Sequence, residues 1–167
     1  MKSNFKFKLM KSHFLFPNQF KKIGWFLFVP SVLVTIFISV LNISTDNYLN
    51  VTVFSIYQET IGEVPGFFKF IKNSILDEMV TIGIIVGGIL VGFSKLKEEV
   101  EMISKVRYES LVWATYLNYG IILFFTLFLF GLPYLNVVFY NMFTLLLFFI
   151  IRFHYMIYKL NNSNHDE

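Results

Sequence analysis

The chain has 167 residues, 56% hydrophobic and 20% aromatic but only 15% charged, with a mean hydropathy of +0.62. Soluble domains carry about 25% charged residues, so lipid rather than water is the economical solvent for this sequence. The absence of cysteine excludes disulfides, thiolate zinc sites and Cys nucleophiles. A net charge of +3 without a folded basic module argues against nucleic-acid binding.

Residues 1–22 carry six Lys and no acid. Phe5, Phe7, Leu9 and Phe14 interleave with Lys6, Lys8 and Lys11, as expected of a basic segment lying on an anionic cytoplasmic leaflet or flanking the first span. The first long apolar run starts at Ile23 without a small-residue cleavage site after it, so a secretory signal peptide is not expected. Span 1 is expected at 23–41, with Trp25 as an interface anchor and Pro30 inside it.

Residues 42–74 form the one sizeable loop, expected outside the membrane. The β-branched and aromatic run NVTVFSIY suggests a short strand or extended segment from Asn50 to Tyr57. Gly62, Pro65 and Gly66 then interrupt the chain, and FFKFIKNSI reads as a short amphipathic helix lying in the interface. Asn42-Ile43-Ser44 and Asn50-Val51-Thr52 match the glycosylation pattern, which carries meaning only in a eukaryotic secretory pathway.

Span 2 is expected at 75–94. Ser74 and Asp77 have capping-box spacing, and Asp77 and Glu78 suit the positive end of the helix dipole. Gly83, Gly87, Gly88 and Gly92 form two overlapping small-xxx-small pairs, the spacing that lets another helix approach closely, within this chain or in a second copy. The next stretch, KLKEEVEMISKVRYES, is the most strongly charged helical one. Val100, Ile103 and Val106 share one face, and Glu101 and Lys105 are an i,i+4 pair. It reads as a short antiparallel stalk, with Glu98, Glu101, Lys105 and Arg107 as the docking surface for a cytosolic protein.

Spans 3 and 4, at 111–130 and 134–158, are joined by Gly131-Leu132-Pro133, too short for anything but a tight helical hairpin. Glu109, Trp113 and Tyr116 share a face of span 3. Polar residues inside a membrane are functional candidates by default. Here they are Asn118 on span 3, and Asn141, Thr144, Arg152 and His154 on span 4. Antiparallel depth suggests an Asn118–Thr144 hydrogen bond, with Asn141 further out, and a Glu109–Arg152–His154 cluster near the inner boundary. The tail 159–167 is polar.

The fold class is therefore an all-α, four-transmembrane-helix bundle spanning 23–158. Lys and Arg concentrate in 1–22 and 95–110, which by the positive-inside rule places both termini in the cytoplasm. His13, His154 and His165 make no metal-binding spacing, and no nucleophile elbow or phosphate-binding loop is present, so no enzyme and no cofactor is expected. A non-enzymatic interaction or regulatory subunit, alone or as a homo-oligomer, is the first reading. A small homo-oligomeric channel or membrane-perturbing effector is the second.

Three blocks, FPNQFKKIGWFLFVPS, VGFSKLKEEVEMISKVRYESLVWATYLNYG and NVVFYNMFTLLLFFIIRFHYMIY, together resemble a group of small, functionally uncharacterised membrane proteins of Bacteroidota-type bacteria. They cover under half of the chain. The resemblance implies a bacterial inner-membrane setting, which would make the glycosylation patterns accidental, and it carries no catalytic residue.

Overall fold

The computed structural model describes residues 14–41, 43, 45, 48–58, 66–97 and 101–163. Most of the basic N-terminal segment, Glu98, Gly62, Pro65 and the last residues of the tail lie outside these. Four helices, α1 (Gln19–Leu41), α2 (Leu76–Phe93), α3 (Glu101–Phe128) and α4 (Leu132–Ser163), are each long and apolar enough to cross a membrane. By length and composition this is a multi-pass membrane protein.

The fold is not all-α. A two-stranded antiparallel sheet, β1 (Asn50–Gln58) and β2 (Gly66–Ser74), stands between α1 and α2. The expected strand is β1, but FFKFIKNS is its partner strand rather than an interfacial helix. The pairing supplies the reason: Phe70 faces Phe54, Ile71 faces Val53 and Phe67 faces Tyr57, and the rings of Phe54 and Phe70 meet at 5.4 Å, those of Tyr57 and Phe67 at 5.1 Å. Cross-strand aromatic and β-branched pairs of this kind stabilise a ladder that a lone amphipathic turn could not match.

The capping box is also replaced. Ile75 caps α2 without a side-chain bond. The Ser74 hydroxyl lies within hydrogen-bonding distance of the Thr45 and Tyr48 carbonyls instead. Thr45 Oγ1 donates to Asp77 Oδ2, and Asn73 Nδ2 to Glu78 Oε1, both at 2.8 Å. The two acids still sit in the first turn of α2, where the helix dipole favours them, but they also hold Thr45, ahead of β1, and Asn73, near the end of β2.

The helices alternate in direction. Trp25 near the start of α1 meets His154 near the end of α4 at 5.3 Å between rings, and Ser39 near the end of α1 meets Tyr140 at 3.3 Å. The beginning of α1 and the end of α4 therefore share one end of the bundle. α1 passes through Pro30 without interruption, its ring on the exposed side. Gly131, at φ +74°, makes the left-handed turn between α3 and α4, and Pro133 falls in the first turn of α4, where a missing amide proton costs little.

The centre of the bundle is α2. Gly83 faces Ser31 and Gly87 faces Phe28 on α1, whereas Gly88 faces Leu146 and Gly92 faces Phe149 on α4. An offset of five residues between the glycine pairs gives α2 a smooth surface toward each neighbour. At the tightest crossing a methyl on Gly87 would lie 2.7 Å from Phe28 N, and one on Gly24 would lie 2.8 Å from Val91 N. Backbone atoms cannot swing away as a side chain can, so the helices would have to separate. Gly120 has nothing within 4 Å of such a methyl. We expect Gly87→Ala and Gly24→Ala each to lower stability by about 1–3 kcal/mol in detergent, with Gly120→Ala unchanged or slightly stabilised. Thermal unfolding of the three purified variants checks this, and equal midpoints would refute the close crossing.

Candidate functional site

One group of polar side chains lies at the end of the bundle where α1 and α3 start and α2 and α4 finish. Beyond Phe93 the chain does not continue as a helical stalk. It extends, and Ser94 forms a parallel bridge with Phe16. Phe16 N donates to Phe93 O at 3.0 Å, Lys95 N to Phe16 O at 2.9 Å, and Asn18 Nδ2 to Lys95 O at 2.8 Å. The expected stalk of paired helices is thus corrected. Of α2 and α3, α3 alone extends as a helix beyond its apolar span among the described residues, because these bonds engage the end of α2 with the segment before α1.

Arg107, expected on a docking surface, is buried at 6% exposure. Its Nη2 donates to Ser94 O at 3.3 Å and its guanidinium lies 4.9 Å from the centre of the Phe153 ring. A buried cation is tolerated only where carbonyls or π-faces replace its water. Here they come from the end of α2 and from α4, so Arg107 joins three elements. Ser110 and Ala114, one and two turns further along α3, are fully buried on the same stripe, and Asn118 is nearly so.

The opposite face of the same turns is open. Glu101, Met102, Lys105, Tyr108 and Glu109 are exposed, Tyr108 at 69%. Lys105 turns to Glu109, at 3.9 Å, rather than to Glu101. An ion pair this exposed contributes ~0–1 kcal/mol, so it leaves the face free to rearrange around a binding partner.

The remaining candidates fall into separate places. Glu109, Arg152 and His154 do not form one cluster. The Arg152 guanidinium lies 4.7 Å from the Trp113 ring centre. His154 packs edge-on against Trp25, and its Nδ1 lies 2.9 Å from Ile150 O. Tyr116 is exposed at 75%. Further into the bundle, Asn118 pairs with Asn141 rather than Thr144. The two amides exchange hydrogen bonds, Asn118 Nδ2 to Asn141 Oδ1 at 3.3 Å and Asn141 Nδ2 to Asn118 Oδ1 at 3.0 Å. Thr144 bonds back to Tyr140 O. The tight Gly131 turn sets this register, and a threonine on a helix has a carbonyl one turn back always within reach.

Sequence reasoning missed the joint at Phe16, Asn18 and Ser94, and the burial of Arg107. A signal for the latter was present: Arg107, Leu111, Ala114 and Asn118 recur at i, i+4, i+7 and i+11, the stripe of a helix turned inward. The backbone bridge has no comparable signature.

Compared with known proteins, the chain matches no family model, no curated protein and no solved structure.

Two outcomes test this geometry. The chain has no native cysteine, so Phe16→Cys with Ser94→Cys is expected to form a disulfide under mild oxidation in membranes, since bridged positions lie within the usual Cα separation. Phe14→Cys with Ser94→Cys should not. For the amide pair, a double-mutant cycle of Asn118→Ala and Asn141→Ala should give a coupling of about 0.6–1.7 kcal/mol, measured by denaturant titration in mixed micelles.

Proposed function

We propose that this protein is a non-enzymatic interaction subunit of a bacterial inner membrane, both chain ends cytoplasmic, presenting α3 to a cytosolic protein. The observation that carries the reading is the division of the first turns of α3. One face, Val106, Arg107 and Ser110, is locked against the bundle; the other, Glu101, Met102, Lys105, Tyr108 and Glu109, is open. The mixture of both charge signs with a thioether and an aromatic ring is suited to a protein surface. A lipid or nucleic-acid surface would favour one sign of charge. Lys21 and Lys22, in the first turn of α1, lie at the same end, consistent with a cytoplasmic placement.

Charge reversal tests the proposal. Glu101→Lys with Lys105→Glu should abolish photo-crosslinked capture of the partner from native membranes, while membrane insertion and elution profile stay as in the parent. Capture at undiminished yield would refute the docking face.

A small homo-oligomeric channel draws less support, because Asn118 and Asn141, the polar groups best placed to line a path, are occupied with each other. Purified protein in planar bilayers is expected to be electrically silent. Conductance that changes with Asn118→Ala would reverse the order of the two readings.

A further inference from the structure

A groove of about 520 Å³ runs between α3 and α4, lined by Trp113, Leu117, Phe148, Ile151, Arg152, Tyr155 and Met156. It is apolar along its length and cationic at one end. Arg152 is half-buried there, with its guanidinium over Trp113. Its Nε is buried and has no hydrogen-bond partner among the described residues. Nor does it have a carboxylate: the ion pair found among the described residues is Lys105–Glu109.

The depth of Arg152 follows from the sequence. Residues 132–151 of α4 contain no Asp, Glu, Lys or Arg and measure about 30 Å at helical rise, which matches the ~30 Å hydrocarbon core. On α3 the charge-free run begins just after Glu109. Arg152 therefore stands where the acyl region of the bilayer gives way to the headgroups. Trp113 and Tyr155 beside it are residues that favour that boundary. Leu117 and Phe148 line the part of the groove that leads from it toward the middle of the spans.

We propose that this groove is a binding site for one anionic phospholipid of the surrounding bilayer. The headgroup phosphate takes the donors of Arg152, and one acyl chain lies along Leu117, Phe148 and Ile151. Arginine is suited to the role because its planar fork binds phosphate oxygens while its face remains stacked on the indole. The site is distinct from any attraction of the N-terminal lysines for an anionic surface, since it holds a lipid between two helices and depends on a different residue.

Trp113 serves as a built-in reporter. The other tryptophan is Trp25, so Trp25→Phe leaves a single emitter in the groove. In nanodiscs of mixed phosphatidylcholine and phosphatidylglycerol, the brominated lipid is made either the anionic or the zwitterionic species at equal mole fraction. Quenching of Trp113 should show a preference of about fivefold for brominated phosphatidylglycerol, the factor expected of one cation near the headgroups. Arg152→Gln in the same background should bring the ratio to about one, and Arg152→Lys, which keeps the charge, should retain most of the preference. Equal quenching by the two lipids in the Trp25→Phe chain would overturn the proposal. So would an undiminished preference in Arg152→Gln, or its full loss in an Arg152→Lys chain that elutes and unfolds as the parent does.

Discussion

Helices in lipid gain nothing by hiding apolar side chains from a solvent that is itself apolar, so their association depends on how closely they fit. In this protein the fit is made on α2. Gly83 and Gly87 let α1 come within backbone contact, and Gly88 and Gly92 receive Leu146 and Phe149 of α4. The buried apolar set is small for four helices, with Phe149 and Phe153 its largest fully buried members. Most of the remaining large side chains face outward, as lipid permits and water would not. Geometry at a few glycines therefore carries an organising role that a hydrophobic core would have in a soluble bundle.

The second constraint is electrostatic. α3 packs chiefly along α4, and Arg107 ties it to the end of α2. The Arg107 guanidinium is buried against Ser94 O and the Phe153 ring, and Phe16 bridges to Ser94. The contacts run from a backbone bridge, through a carbonyl, to a cation on α3. Removing the Ser94 carbonyl contact takes a hydrogen-bond acceptor from a buried cation, a change that costs more than the bond itself contributes.

What the sequence disclosed, and what it withheld, divides along physical lines. The apolar runs located all four helices because span length is set by the bilayer, and the Gly131 turn was legible because so few residues can connect two long helices only one way. The partner strand was missed: FFKFIKNS has no strict alternation, and its strand character depends on β1 opposite, a non-local property. Asn118 was paired with the wrong residue because depth along two helices does not fix their rotation. Arg107 was placed on the surface by its charge, although its spacing from Leu111, Ala114 and Asn118 pointed inward. In each failure a local preference was overruled by a contact distant in sequence.

α3 is where the packing, the polar joint and the two open surfaces meet. Its buried stripe runs unbroken from Val106 and Arg107, through Ser110 and Ala114, to Asn118, and the helix carries no proline or glycine between Glu101 and Tyr119. The turns that present Glu101, Lys105 and Tyr108 are thus one rigid rod with the turns that grip α4 through the Asn118–Asn141 pair. Trp113, which stacks on Arg152, stands between the two on that rod. A protein seated on the exposed face and a lipid seated in the α3–α4 groove would act on the same helix from two sides. Linkage then requires that any shift of α3 favoured by one be felt by the other, in proportion to how differently each binds the two positions.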